Sequence, residues 1–291
     1  MLASALLAGL ALGSMYGLLA LGYHVTYAVS GTVNFAQGSA MMLGAVFAYA
    51  LIVVLKWPLV PAVACALALC ALYGLVVEAA AVRPFVRRGS NAWLIATVAL
   101  GIVVDNAALF TFGKEPRSLP SPLALTPITV GETSLGIYPL QALIPLAGLA
   151  LAALLDFAGR KTRWGIAMLA VVQNREAASL MGIHTGRVIA GAYALSAVLA
   201  GIAGMLIAPL LNVNADMGTL FGLKAFAVAI LGGIASAWGV MAAGVLFGVA
   251  ESLITATLGS GYTQILTFAL VIGVLAWKPQ GLFGRAAVKK V

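Results

Sequence analysis

Six polar residues stand out because they lie within or beside long apolar stretches of the sequence. Ionisable side chains are rare inside membrane-spanning helices, where they face a protein interior or an aqueous cavity and mark paths for ions or solutes. A carboxylate in such a place can carry a proton or bind an ammonium group, and an amide can both donate and accept hydrogen bonds. The candidates for a solute path are Asn34, Gln37, Asp105, Asn106, Lys224 and Glu251.

These candidates also have structural interpretations. Asp105 and Glu251 can belong to ion pairs, or can be protonated and donate hydrogen bonds to the protein itself. Asn34 and Gln37 stand close to glycines, which in membrane proteins often serve only to let two helices approach each other. The sequence leaves both interpretations open.

The sequence lacks the motifs of nucleotide-dependent and metal-dependent enzymes. Gly113 and Lys114 are followed by Glu115, so a phosphate-binding loop of the G-x-x-x-x-G-K-[ST] type is missing. The two histidines, His24 and His184, are isolated, and no Cys/His cluster has the spacing of metal ligands. We expect a chain without enzymatic activity that binds no cofactor and no metal.

The composition indicates an integral membrane protein. Of the 291 residues, 63% are hydrophobic and only 8% are charged, whereas soluble domains carry roughly 25% charged residues. Each membrane-spanning helix needs about 20 apolar residues, so the chain accommodates about eight or nine spans and no soluble catalytic domain. We predict an all-α polytopic bundle that forms a single transmembrane domain over residues 1–291. Despite the formal charge of +8, we expect no nucleic-acid partner.

Apolar runs place the predicted spans, and polar, glycine-rich or proline-rich segments separate them. The stretch 23–34 is uncharged but polar, and 114–138 contains four prolines, so both are predicted to lie outside spans. The apolar run 222–258 is too long for one helix and is divided near Gly232. The predicted spans are 2–22, 36–55, 59–81, 92–112, 139–157, 188–211, 223–234, 238–258 and 262–277.

Two stretches are predicted to contain interrupted helices. Residues 31–39 hold two glycines together with Asn34 and Gln37, and residues 222–239 hold four glycines together with Lys224. Transporters use such interruptions at the middle of the membrane, where irregular backbone and polar side chains line a cavity. These two stretches are therefore the expected location of a solute path.

The distribution of basic residues predicts the orientation. Lys and Arg accumulate on the cytoplasmic side of membrane proteins. Here they concentrate in loops 83–90 and 159–187 and at the C-terminus, which we therefore assign to the cytoplasm. Loop 113–138 and the N-terminus are then outside. Successive spans cross the membrane in opposite directions, so this orientation requires 223–234 to cross or re-enter the membrane as a short piece.

Loop 159–187 contains a short predicted helix with an apolar side. Asn174 is suited to cap its start, and a glycine is suited to end it. An exposed apolar face in the cytoplasm implies a partner protein, unless the helix folds back on its own subunit. The residues assigned to this helix and its end are Arg175, Glu176, Ala177, Leu180, Met181 and Gly182.

Four blocks of the sequence resemble the membrane permeases of branched-chain amino acid ABC importers. They are Asn-Phe-Ala-Gln-Gly at 34–38, Glu-Ala-Ala-Ser-Leu-Met-Gly-Ile at 176–183, Leu-Lys-Ala-Phe at 223–226 and Lys-Pro-Gln-Gly-Leu-Phe-Gly at 278–284. The blocks follow the family's order and extend along nearly the whole chain. The chain is therefore identified as similar to this permease family.

The resemblance implies a type II ABC importer-like fold in a bacterial inner membrane. It implies that this chain pairs with a second, homologous permease subunit, and that the helix near 175–181 docks on one of two cytoplasmic ATPase subunits. Those subunits would bind ATP and Mg, and an extracellular or periplasmic substrate-binding protein would deliver the solute. Membrane lipid surrounds such a chain.

Two positions depart from the family pattern, since Gln37 replaces a usual His and Ser39 replaces a usual acidic residue. The expected solute is therefore a branched-chain amino acid or a related small polar molecule such as urea, an amide or an aromatic acid. Two other classes remain open. A stand-alone secondary transporter would use Asp105 or Glu251 as a proton site, and a structural membrane subunit would have no path.

Overall fold

The computed structural model describes residues 2–125, 129–130, 133–134 and 138–284, and these are mostly helical. Two-residue strands β1 (Thr129–Val130) and β2 (Thr133–Ser134) pair antiparallel. The helices are α1 (Leu2–Ser30), α2 (Gln37–Tyr49), α3 (Leu59–Val76), α4 (Arg83–Val86), α5 (Trp93–Phe112), α6 (Pro122–Leu125), α7 (Pro139–Lys161), α8 (Arg163–Gln173), α9 (Arg175–Leu180), α10 (Thr185–Leu211), α11 (Met217–Gly232), α12 (Ala237–Leu258) and α13 (Ser260–Trp277).

Within the described residues, eight helices are long and apolar enough to cross a membrane. They are α1, α5, α7, α10, α12 and α13, together with α2 and α3, which continue as π-helical segments Ala50–Val54 and Val77–Val82. The helix α11 is apolar but shorter. These findings confirm the predicted all-α polytopic fold and most of the predicted spans.

The first helix is longer than predicted. α1 continues without a break through Tyr23–Ser30, so the prediction that 23–34 lies outside the spans is wrong for the first part of that stretch. The polar side chains there find partners inside the bundle, as when the Tyr23 hydroxyl donates to the Gly222 carbonyl oxygen at 3.1 Å. A polar side chain whose hydrogen-bonding groups have partners can be buried within a helix, so these residues do not end α1.

The helix α2 begins inside the bundle, as predicted for the interrupted segment 31–39. Residues 31–36 connect it to α1, and the Gln37 side-chain amide at its start donates to the Ser196 carbonyl oxygen at 3.0 Å. Ser196 lies eleven residues into α10, which corresponds to about 16 Å of helical rise. The start of α2 is therefore near the middle of the bundle.

The helix α11 starts next to the start of α2. A Cβ atom added to Gly218 would lie 2.5 Å from the Gly38 carbonyl oxygen, and one added to Gly222 would lie 2.9 Å from the Gly38 Cα. Glycines are needed at these positions because the two helices approach backbone to backbone. The helix begins at Met217, so the predicted start at residue 223 is wrong.

The chain around α11 traverses the whole bundle. Before the helix, Val213 pairs with Arg117, which follows α5. After the helix, the Ile234 carbonyl oxygen lies 2.7 Å from the His24 Nδ1, close to the end of α1. The predicted short piece thus corresponds to a helix of 16 residues, preceded by an irregular segment that contains a turn.

One end of the bundle carries a group of arginines and is called the basic end below. Arg83, Arg87 and Arg175 line one cleft beside the end of α1, and Arg160 lines another. Arg83 is paired with Glu78 through two contacts, of 3.0 Å and 2.6 Å. Residues 285–291 of the predicted cytoplasmic C-terminus lie outside the described residues, as does part of the predicted external loop.

Glycines let α1 and α12 pack closely. Gly13 and Gly17 of α1 face Gly244 and Gly248 of α12, and a Cβ atom added to Gly244 would lie 2.6 Å from the Gly17 Cα. Lipid tails are as apolar as leucine, so helices in a membrane associate through close packing rather than the hydrophobic effect. The small residues therefore hold the centre of the bundle together.

We expect Gly244→Val to destabilise the protein, because the valine side chain has no room against Gly17 and overpacking costs about 1–3 kcal/mol. The matched control is Gly273→Val, since the space around a Cβ atom at Gly273 of α13 is open. Unfolding midpoints of the purified variants in detergent measure the difference. Equal midpoints would contradict the packing interpretation.

Candidate functional site

A hydrogen-bonded network holds the chain break before α2 against α10. The Asn34 Oδ1 accepts a hydrogen bond from the Ala36 backbone N–H at 3.1 Å, and the Asn34 Nδ2 donates to the Gln37 Oε1 at 3.4 Å. The Ser196 hydroxyl lies 2.9 Å from both the Gln37 Oε1 and the Gly22 carbonyl oxygen. Asn34, Gln37 and Ser196 are fully buried.

Gly22 gives this network its space. A Cβ atom at that position would overlap the side-chain amide nitrogen of Gln37. The amides of Asn34 and Gln37 thus have partners within the protein, and neither residue lines the cleft beside them. Contact of these two residues with a solute stays a prediction.

This cleft has a volume of about 260 Å³ and lies between α1, α2, α5 and α11. Its walls include Gly38 and Ser39 from the first turn of α2, and Gly218 and Thr219 from the first turn of α11. The small glycines keep the cleft open between the two helix starts. Its single charged lining residue is Asp105 of α5.

Asp105 has one satisfied and one unused acceptor oxygen. Its Oδ2 accepts a hydrogen bond from the Thr219 hydroxyl at 3.0 Å. Its Oδ1 is buried but accepts no hydrogen bond from the described residues, and the nearby Ser39 hydroxyl donates to the Gly101 carbonyl oxygen instead. Within the same part of the chain, no Lys or Arg forms an ion pair with Asp105. Such a carboxylate can bind the ammonium or hydrogen-bond donor of a small molecule.

Asp105 lines the cleft, but Asn106, the next residue in the sequence, does not. Asn106 is exposed, and its side-chain amide donates to the Ile102 carbonyl oxygen one turn earlier at 2.8 Å. The candidates predicted from the sequence do not include Thr219, and Ser39 stands out there only as a departure from the family pattern. Both hydroxyl residues directly follow a glycine at the start of an interrupted helix, which is a signal present in the sequence.

Lys224 and Glu251 form an ion pair inside the bundle. The Lys224 Nζ lies 2.5 Å from the Glu251 Oε1 and 3.4 Å from the Tyr16 hydroxyl. The two residues are only 4% and 8% exposed, and neither lines the cleft at Asp105. Of the structural interpretations of Glu251, the structure shows the ion pair, and a role of Lys224 and Glu251 in the solute path stays a prediction.

A short helix follows Asn174, as predicted for loop 159–187. The Asn174 Oδ1 accepts hydrogen bonds from the backbone N–H groups of Glu176 and Ala177, each at 3.0 Å. These two bonds satisfy donors that the first turn of a helix leaves free. The predicted cap is confirmed, and α9 extends from Arg175 to Leu180.

The apolar side of α9 is not covered by the residues that the structure describes. Leu180 and Met181 are 89% and 83% exposed, and Ala177 is exposed as well. Ala178 is the residue that α9 buries against the rest of the chain. Gly182, with a φ of 84°, redirects the chain after the helix. The apolar side is therefore available to another protein.

The described part of the chain contains no group of three or more His, Cys, Asp or Glu side chains placed to hold a metal ion. Cys65 and Cys70 are free thiols.

Comparison with known proteins identifies relatives along nearly the whole chain. Residues 5–275 match the family described as the permease component of the branched-chain amino acid transport system. The chain is 36% identical to the high-affinity branched-chain amino acid transport system permease protein LivH of Escherichia coli (strain K12), over 97% of this chain and 96% of the relative. It is 33% identical to the corresponding protein BraD of Pseudomonas aeruginosa, over the same shares of the two chains.

A more distant relative is the probable branched-chain amino acid transport permease protein LivH of Methanocaldococcus jannaschii, which is 27% identical over 92% of this chain and 88% of its own. No solved structure matches the chain. The family match extends from α1 to α13 and thus includes both interrupted helices, the cleft at Asp105 and α9. The chain belongs to the family of permease components of branched-chain amino acid transport systems.

Proposed function

We propose that this chain is the translocation subunit of an ATP-driven importer of branched-chain amino acids or a related small polar solute. The observation that carries the proposal is the cleft at the starts of α2 and α11, where Asp105 has an unused acceptor oxygen. The relatives support it, since LivH and BraD are named as high-affinity branched-chain amino acid permeases.

The interrupted helices favour a solute path at this cleft. Irregular backbone is tolerated at membrane depth only where it is buried in protein or lines a cavity. The break before α2 is buried by the network of Asn34 and Gln37, whereas the first turns of α2 and α11 line the cleft. In this proposal the solute contacts Asp105, Ser39 and Thr219, and the network holds the break in position. Asn106 then makes no solute contact within this chain.

The proposal includes partners that supply energy and solute. The sequence lacks a phosphate-binding loop, so two cytoplasmic ATPase subunits would bind ATP and Mg. A second, homologous permease subunit would complete the path, and an extracellular or periplasmic binding protein would deliver the solute. The basic end of the bundle would face the cytoplasm of a bacterial cell, with the N-terminus outside and the C-terminus inside.

The helix α9 is the proposed contact with an ATPase subunit. Its exposed apolar side suits a helix-in-groove interaction, in which a few apolar side chains fill a groove of the partner. Leu180 and Met181 are the most exposed of these side chains. Because α9 follows α8 and precedes α10, a movement of the ATPase would be transmitted to a membrane-spanning helix.

A stand-alone proton-coupled transporter is not favoured. It would use Asp105 or Glu251 as its proton site, but Glu251 is paired with Lys224 away from the cleft. The family that matches this chain is also described as a component of a transport system, which favours a multi-subunit transporter over a single-chain carrier. The two functions differ in their energy source, so they are separable by experiment.

We expect Asp105→Asn to lower uptake by about 10–100-fold, because a hydrogen bond to a charged group contributes about 1.5–3 kcal/mol. Uptake is measured in proteoliposomes that contain the assembled transporter and saturating binding protein. The control is Asp156→Asn, which removes only an exposed pair with Arg160 at the basic end. Unchanged uptake by Asp105→Asn would remove this residue from the path.

We expect Leu180→Asp to leave the membrane domain folded but to abolish transport, because a charge without a partner is placed in the interface with the ATPase. Co-purification of the ATPase subunits and uptake are measured together. The control Ser179→Asp places the same charge one residue earlier, about 100° around the helix. Normal ATPase recovery and normal uptake with Leu180→Asp would show that α9 is not the contact.

We expect the buried ion pair to tolerate joint replacement better than single replacement. Lys224→Met alone leaves the Glu251 carboxylate without its partner, which costs about 3–5 kcal/mol. Replacing Lys224 and Glu251 together by Met removes both charges, so folding and uptake should remain close to normal. Normal folding with lost uptake in the double variant would instead support a proton site at Glu251.

A further inference from the structure

A second, larger cleft lies at the basic end of the bundle, between α1, α7 and α8. Its volume is about 440 Å³, which falls in the range of about 300–1,000 Å³ typical of small-molecule sites. Val25 and Val29 from α1, Leu155 from α7 and Met168 and Leu169 from α8 form apolar walls. It shares no lining residue with the cleft at Asp105.

Basic residues stand at the mouth of this cleft. Arg160 lines it, and Lys161 and Arg163 follow directly in the sequence with exposed side chains. The Arg160 Nε donates to the Asp156 carboxylate at 3.0 Å, but the Arg160 side chain remains 70% exposed. The segment 160–163 that borders the cleft thus carries three cations, and Asp156 is the carboxylate among the residues that line it.

Neighbouring side chains place this mouth at the level of a membrane surface. The basic residues follow the apolar part of α7 directly, and Trp164 lies beside them, half exposed and lining the cleft. Tryptophan is enriched at membrane–water interfaces because its ring is apolar and its N–H is polar. The next helix, α8, exposes Ile166 and Val172, which water would solvate poorly.

We propose that this cleft binds an anionic phospholipid. One acyl chain lies between α1, α7 and α8, and the phosphate is held by Arg160, Lys161 and Arg163. Apolar walls below a basic mouth match an amphipathic molecule with an anionic head, and basic pockets between membrane helices are known to bind such headgroups. A small polar solute does not match, because the walls offer it few hydrogen-bonding partners.

The position of the lipid has a structural consequence. The helix α8 connects α7 to α9 through Thr162 and Asn174, which cap the two helices that follow them. An acyl chain that fills the cleft packs between α8 and the side chains of α1 and α7 that line the opposite walls. The lipid therefore contributes to holding α9 at the basic end.

Fluorescence quenching by brominated lipids tests the proposal without any transport measurement. A full-length variant that keeps Trp164 as its only tryptophan is placed in vesicles of phosphatidylcholine with a small fraction of either brominated phosphatidylglycerol or brominated phosphatidylcholine. We expect stronger quenching by the anionic lipid. Joint replacement of Arg160, Lys161 and Arg163 by Gln should lower its apparent affinity by about tenfold or more, since each basic residue near a membrane surface contributes about 1 kcal/mol.

Two further variants make the test specific. Joint replacement of Arg87 and Arg88 by Gln removes charge from the same end but not from this cleft, and should leave quenching unchanged. Ala28→Phe fills the cleft from α1 without changing any charge, and should reduce quenching by both lipids. The proposal would be overturned if the two lipids quench Trp164 equally and none of these variants changes that quenching. So would a cross-link showing that a second permease subunit covers Trp164.

Discussion

The interior of a membrane offers no water to satisfy a free backbone group, and the arrangement of this bundle depends on that constraint. Each N–H or C=O released by a helix break must find a partner within the protein, because an unsatisfied group there costs several kcal/mol. At the break over 31–36, the Asn34 Oδ1 accepts a hydrogen bond from the Ala36 backbone N–H, and the Tyr73 hydroxyl donates to the Ala36 carbonyl oxygen. Gln37 and Ser196 in turn hold the Asn34 side chain in place. The polar side chains at the break therefore stabilise the fold, and this role does not depend on contact with a solute.

Close packing of helices makes such a break possible. The starts of α2 and α11 meet through Gly38, Gly218 and Gly222, and a side chain at any of them would separate the two helices. Gly22 acts in the same way, because its missing Cβ atom provides the space for the Gln37 amide. The small residues thus do more than bring helices together. They bring the two interrupted helices to one level of the bundle and leave a cleft between them.

Local features of the fold could be predicted from the sequence, whereas contacts between distant residues could not. The lengths of the apolar runs predicted the spans, and the Asn174 cap predicted α9, because both depend on neighbouring residues. The pairs Lys224–Glu251 and Thr219–Asp105 join different helices, so nothing within either helix indicates the partner. The early end predicted for α1 had a related cause. The polar residues after Gly22 predict a break, but Tyr23 bonds to a carbonyl group of α11, and Thr26 and Ser30 bond back to carbonyl groups of α1 itself.

The Lys224–Glu251 pair and Asp105 differ in how their charge is compensated. Lys224 neutralises Glu251, and the pair is nearly inaccessible. Asp105 has no cation as a partner within the described residues, accepts a hydrogen bond from the Thr219 hydroxyl, and lines a cleft. An ionised carboxylate in a medium of low dielectric is stable only if a cation, a hydrogen-bond donor or water reaches it. A donor that enters the cleft could reach the free Oδ1 of Asp105, whereas Glu251 already has Lys224 as its counter-ion and does not line the cleft. The proposed solute contact is therefore placed at Asp105 rather than at Glu251.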